Sequence, residues 1–471
     1  MNKDNICYMP AWQMAEKIKT QELSSLEITE MLIERIEKIN PILNAYCTTS
    51  FDLAREMAKK ADDRTKSGKN IGLLNGVPIS IKDMMDTKGI RTTYGSKLFK
   101  DHIPKENTVD VQRIIDAGGV ILGKTNNSEF AFFGVTFNEL FGVTNNPWNL
   151  ERTCGGSSGG AGAAVAAGIS PLAIGSDGGG SIRIPASLNG IYGLKPNFGR
   201  IPIYPRRGLS GFSLSTHGPM TNYVKDAALM LDVLKGFHGA DRDSLPDDGI
   251  SFFEKIDEKP NRLNIAFSLD LGNTKAIDSE VEKTVINSVQ KFEEFGWTID
   301  TPKSRLRPPS WAFNTIYTAN SAYNLGPYLQ KNRELIGSEL VKTSEVGLTY
   351  SALDLLNAFN KRKEFYEKMY HFMKNYDILI TPTVSITAFP HGMMYPPMIN
   401  GKGVPPKGWQ PNTWPFNLTG QPAASIPCGW SKEGLPIGMQ IIGHPFDELT
   451  VLQVSQAFEE IAPWQDRKPS L

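Results

Sequence analysis

The sequence predicts an α/β protein on three observations. Segments of helical periodicity alternate with short β-branched runs, Gly and Pro punctuate the joints between them, and no segment repeats. Ser24-Ser25-Leu26-Glu27 has the form of a capping box, and Leu32, Ile33, Ile36 and Ile39 recur at helical spacing up to Asn40-Pro41. Phe51 to Ser67, rich in Ala and Lys, reads as a second helix. Between Gly72 and Asp83, Val77, Ile79 and Ile81 alternate as in a strand, which puts Lys82 at a strand end. Val109 to Ala117 is helical, Gly118-Gly119 stops it, Val120-Ile121-Leu122 is a short buried strand, and Thr125 or Asn126 is expected to cap a further helix. A polar stretch from Gly239 to Pro260 suits a long surface loop or a boundary between lobes. After it, Leu263 to Phe267 reads as a strand, Ser279 to Phe295 as a helix and Asp377 to Thr383 as a strand. Phe389 to Pro415, crowded with Pro, Gly and Met, is expected to form a pocket wall.

Composition narrows the function. The 50 Lys and Arg balance 50 Asp and Glu, so the basic footprint of a nucleic-acid binder or of a protein held on anionic membranes is missing, and a small molecule is the expected partner. Cys7, Cys47, Cys154 and Cys428 are scattered without metal-ligand spacing, which fits reduced thiols in a cytoplasmic protein and implies no metal. Met1 to Asn5 leads into no apolar segment, and no run of eighteen apolar residues occurs, so no membrane span is expected.

Three motifs compete for the chemistry. Gly118-Gly-Val-Ile-Leu-Gly123-Lys124-Thr125 spells a phosphate-binding loop, but its intervening residues are strand formers that would be buried. Gly155-Gly156-Ser157-Ser158-Gly159 spells a nucleophile elbow, with Asp377 and His391 or His444 downstream, yet Trp148 to Cys154 is a poor strand to lead into it. Of the six histidines, His102, His217, His238, His371, His391 and His444, none has a metal-ligand spacing, and each reads as structural. The third pattern is longer. Gly155 to Gly168 is followed by Gly175-Ser-Asp177-Gly-Gly-Gly-Ser181-Ile-Arg183-Ile-Pro185-Ala186, then Gly193-Leu-Lys195-Pro196.

These residues, with Lys82-Asp83 upstream and Gly434-Leu-Pro-Ile-Gly-Met-Gln440 downstream, closely resemble the amidase signature family. The resemblance implies one domain over residues 1–471, with a signature core at about 70–235. It also implies an α/β/α sandwich around a large mixed, mostly parallel twisted sheet, with no cofactor and with homodimers frequent. It makes Ser181 the nucleophile and Ser157 a proton shuttle to Lys82, with a cis peptide at Gly156-Ser157. The backbone N–H groups of Gly178, Gly179, Gly180 and Ser181 are then the oxyanion hole, and Gly156, Ser158, Asp177 and Arg183 support the loop.

The chemistry suits those residue types. Amide hydrolysis needs a nucleophile, a proton for a poor amine leaving group and donors for the oxyanion. Lys82 accepts a proton only when neutral, so it must be buried, as flanking Ile79, Ile81 and Met84 suggest. Phe133 and Trp414 are the candidate substrate-binding residues, with Phe130, Phe132, Phe137, Met393 and Met394 as further pocket candidates. The expected function is hydrolysis of small amides, with carbamates or esters included. The alternative is the glutaminase subunit of a tRNA-dependent amidotransferase, which Asn146-Pro-Trp148 and Leu150-Glu-Arg152 resemble, although Ser213 to Met220 and Ser344 to Phe365 do not.

Overall fold

The computed structural model describes residues 6–68, 71–205, 213–274, 276–303 and 305–471; Met1 to Asn5 lies outside them. Eleven strands form one sheet: β1 Tyr46–Thr49, β2 Pro78–Lys82, β3 Val120–Thr125, β4 Leu172–Asp177, β5 Tyr192–Lys195, β6 Thr216–Thr221, β7 Asn264–Phe267, β8 Thr298–Asp300, β9 Ile378–Pro382, β10 Ala423–Trp430 and β11 Pro436–Ile442. Their order across the sheet is β1-β3-β2-β4-β6-β5-β10-β11-β9-β7-β8. The α/β class expected from the sequence is present.

The expectation of a mostly parallel sheet is corrected. Parallel pairing is confined to β3-β2-β4 and to β9-β7-β8, near the two ends, while β1-β3 and every pair from β4 through β6, β5, β10 and β11 to β9 are antiparallel. Connection length supplies the reason. The Val109–Asp116 helix lies between β2 and β3, and a crossover of that length allows parallel pairing. β10 and β11 are joined only by residues 431–435, which permits nothing but a hairpin.

Most local expectations hold. Ser24 Oγ accepts from the N–H groups of Leu26 and Glu27, and Glu27 accepts from Ser24, so the capping box starts the Ser25–Leu43 helix. That helix continues past Pro41 until Asn44 turns left-handed. The helix expected after Thr125 or Asn126 is absent: β3 runs to Thr125 and only a 3-10 turn follows at Glu129–Ala131. Asn126 is diverted from capping by tertiary partners, donating to Thr144 and accepting from Asn138. The 239–260 stretch is held to the body by Leu245 N–H to Gly199 C=O and by Arg200 to Asp248. Of three helices without a clear sequence signal, Ser338–Leu348 and Ala352–Met373 both pack on Ser310–Leu329.

The Gly159–Ala166 helix is buried along its whole length against β2, β4 and β6. A Cβ on Gly160 would come within 2.5 Å of backbone atoms of Ala45 and Asn126. Close approach, not flexibility, therefore dictates glycine here. In an ordinary helix Gly→Ala gains about 1 kcal/mol; Gly160→Ala should instead lose about 1–3 kcal/mol through overpacking, read from urea midpoints. A stabilised variant would refute the packing argument.

Candidate active site

Lys82, the last residue of β2, is fully buried, and its Nζ donates to three hydroxyls: Ser157 Oγ at 2.7 Å, Ser158 Oγ at 2.9 Å and Ser176 Oγ at 2.9 Å. Ser157 and Ser158 come from the turn that opens the Gly159–Ala166 helix, and Ser176 from β4. Burial pushes the Lys82 ammonium well below the usual lysine range, opposed only in part by the negative charge of Asp177. The Gly156-Ser157 peptide is cis, as the family resemblance implied. Gly156 has no room for a side chain, because a Cβ would meet the Val135 backbone at 2.6 Å.

Ser181 lies beyond Ser157 and is 8% exposed. The two serines line one cavity together with Met84, Asp86, Ser176, Ser215 and His217. No hydrogen bond joins their hydroxyls among the described residues; Ser158 N–H instead donates to the Ser181 carbonyl at 3.1 Å. On its other side Ser181 borders a second cavity walled by Phe132, Phe133, Phe313, Tyr317 and Trp414. These rings form a chain of contacts, with centroids 4.7 to 5.3 Å apart from Phe132 through Tyr317 and Phe313 to Trp414. Lys407 Nζ sits 4.7 Å from the centre of the Phe313 ring and donates to Asn314.

The loop 178–180 is held by a buried network. Asp177 Oδ1 accepts from Gly180 N–H at 2.7 Å, and Asp177 receives a two-pronged contact from Arg183, with both bonds at 2.9 Å. The remaining Arg183 N–H groups reach Thr413 C=O, Gln440 Oε1 and Asn417 Oδ1, so all five donors are satisfied. Burial alone would raise the Asp177 carboxyl, but the Arg183 charge and hydrogen bonds hold it well below the usual carboxylate range. Gly180 has φ +128 and approaches Thr413 closely, which only glycine tolerates. Because its N–H is engaged by Asp177, Gly180 is removed from the expected oxyanion donors. The amides of Gly178, Gly179 and Ser181 make no hydrogen bond to protein among the described residues.

A family model described as Amidase matches residues 27–452. The chain belongs to the amidase signature family. It is an amidase, a hydrolase of carbon–nitrogen bonds. An acylamidase of Rhodococcus erythropolis is 35% identical over 100% of the chain and 99% of its own length. A glutamyl-tRNA(Gln) amidotransferase subunit from Cyanothece sp. (strain PCC 7425 / ATCC 29141) is 34% identical over 98% and 99%. Among solved structures, a bacterial aryl acylamidase superposes with TM-score 0.91 at 31% identity, covering 98% of this chain and 97% of that one.

In this amidase the sequence candidates Lys82, Ser157, Ser158, Asp177, Arg183, Gly178, Gly179 and Ser181 converge, and Phe133 and Trp414 line the aromatic cavity. Phe130 lines the cavity shared by Ser157 and Ser181, whereas Phe137 and Met393 are exposed and Met394 packs in the cluster of Phe389 and Trp409. The rival motifs do not assemble. Lys124 is buried in β3, donating to Thr87 and Thr92, and Asp377 accepts from Asn264 N–H while His444 contacts Tyr376 C=O. Sequence reasoning missed Ser176, Phe313, Tyr317 and Lys407. Ser176 adjoins Asp177 in the signature, which is the signal that could have found it; the others lie on segments with no motif. Arg183→Met should cost about 3–5 kcal/mol by leaving Asp177 buried and unpaired, measured by denaturant unfolding. Adding Asp177→Asn should recover part of that loss, and its failure to do so would locate the cost in packing.

Proposed function

We propose that this amidase hydrolyses small amides through an acyl-enzyme formed on Ser181, with Ser157 and Lys82 as its proton relay. The observation that carries the reading is a lysine stripped of water and bonded to Ser157, which shares a cavity with Ser181. Neutral Lys82 takes the Ser157 proton while Ser157 takes that of Ser181. Ser181 Oγ bonds to the carbonyl carbon, and the carbonyl electron pair moves to oxygen, where the amides of Gly178, Gly179 and Ser181 are the available donors. The oxyanion collapses, the C–N bond breaks, and the proton held by Lys82 reaches the amine through Ser157. Water repeats the path on the ester, releasing the acid and regenerating Ser181. The relay needs a Ser157–Ser181 contact, and contacts of this kind commonly tighten only with substrate in place.

The aromatic cavity supports an apolar or aromatic acyl group, consistent with the acylamidase relatives; esters and carbamates of similar shape fall within the same chemistry. A second reading, the glutaminase subunit of a tRNA-dependent amidotransferase, draws on the Cyanothece relative at nearly equal identity. The cavity beside Ser181 sets the rings of Phe132, Phe133, Phe313 and Trp414 beside Lys407 and Gln410, and its aromatic wall favours the free-standing enzyme.

A fluorophosphonate should label Ser181, and Ser181→Ala should abolish release of amine from simple amides and anilides. Labelling mapped to Ser157 would overturn the relay, and turnover confined to glutamine would favour the second reading. Lys82→Met should lower kcat/KM by about 10²–10⁴. Since burial lowers the Lys82 pKa and the neutral form is the active one, kcat/KM should rise with pH and level off below the ordinary lysine value of about 10.4. A profile flat from about pH 5 to 9 would contradict this role.

A further inference from the structure

The segment 389–415, expected as a pocket wall, brings a cation among aromatic rings. Half-buried Lys407 lines the cavity that Phe132, Phe133, Phe313 and Trp414 enclose. Its Nζ lies 4.7 Å from the centre of the Phe313 ring and 5.1 Å from that of Tyr317, and it donates to Asn314 Oδ1 at 2.6 Å. An ammonium carries three N–H donors, and among the described residues Asn314 alone accepts from it. Loss of water around Nζ pushes its pKa down to about 8, and no neighbouring carboxylate counters the shift. The fold has placed a cation in a cavity without giving it a counter-charge.

A second polar group stands beside it. Gln410 N–H donates to the Lys407 carbonyl at 3.3 Å, and Gln410 lines the same cavity, its side-chain amide next to Gly134 and without a protein partner among the described residues. The Phe313 ring connects this pair to the reacting serine. A Cβ on Gly179 would come within 2.9 Å of Phe313 Cζ, so the ring lies between Lys407 and the loop that precedes Ser181.

We propose that Lys407, with Gln410 beside it, binds a carboxylate at the far end of an aromatic acyl group, so that monoamides of aromatic dicarboxylic acids are favoured substrates. The assignment rests on the acyl half occupying this cavity, as the function proposed above has it. A carboxylate fits because its two oxygens accept from the ammonium and the amide together, and it supplies the charge that the protein withholds. The rings of the wall take the aromatic body between that carboxylate and the scissile carbonyl.

The test uses two anilides of phenylacetic acid, one bearing a para carboxylate and the other its neutral isostere, a para isopropyl group. The methylene insulates the carbonyl from either substituent, and aniline release reads both. At pH 7 the wild-type enzyme should favour the carboxylate by about tenfold or more in kcat/KM. Lys407→Met should bring that ratio to about one or reverse it, and Lys407→Arg, which keeps the charge, should retain most of it. The wild-type ratio should also fall as pH rises past about 8, where Lys407 loses its proton, while the ratio in Lys407→Arg stays level. That profile decides the matter if the methionine variant does not fold. A wild-type ratio near one at pH 7, or a ratio unchanged in Lys407→Met, overturns the proposal while Ser181-dependent turnover stands. Turnover that survives Ser181→Ala overturns the relay itself, and this assignment with it.

Discussion

Asp177 and Arg183 form an ion pair wholly removed from water, and the geometry of the site hangs on it. A charge buried without a partner is among the most expensive things a fold can contain, whereas a two-pronged pair with every remaining donor satisfied is tolerated. Arg183 meets that condition through residues far apart in the chain: Thr413, Asn417 and Gln440 supply the last three acceptors. The network joins the end of β4, the glycine loop, the Arg183–Asn189 helix, the turn before the Pro415–Thr419 helix and β11. Asp177 then grips the Gly180 and Ile182 amides on either side of Ser181, which holds the serine between two anchored neighbours.

Burial acts on lysines in more than one way here. Lys82, Lys124 and Lys195 are all fully buried, and burial brings Lys124 down to about 8 and Lys195 to about 7. What separates Lys82 is its company. Lys124 is surrounded by threonine hydroxyls and a carbonyl within β3 and its neighbouring turn, and Lys195 donates to the Pro196 carbonyl. Lys82 faces serines that open onto a cavity, so a proton exchanged with Ser157 can travel further. Lowered basicity by itself does not single out a site; lowered basicity with a hydroxyl path to a cavity does.

How much was legible follows from the range of each interaction. The capping box at Ser24, the strand ending at Lys82 and the glycine-bearing signature depend on neighbours in sequence, and all were found where periodicity and punctuation put them. Asn126 misled because its side chain has two uses: capping a helix locally, or bonding Thr144 and Asn138 from elsewhere. Gly180 misled for a related reason, since a glycine beside the proposed nucleophile suggests a free amide, and the Asp177 carboxylate had claimed it. The sense of the strands was equally hidden, because connection lengths show only after every strand is placed. His217 read as structural in the sequence, and its place in the cavity arises from strand register against Ser176.

The sequence by itself determined the α/β class, the family, and the cluster of Lys82, Ser157 and Ser181, because a rare combination of residue types at set spacings can be recognised without coordinates. Only the tertiary structure decided which amides around Ser181 are without a partner among the described residues, which rings wall the second cavity, and that Asp110 pairs with His217 beside the cavity of Ser157. Those are contacts between segments as much as 257 residues apart, as from Arg183 to Gln440. Buried hydrogen bonding and close packing select such pairs, and neither leaves a periodic trace in the chain.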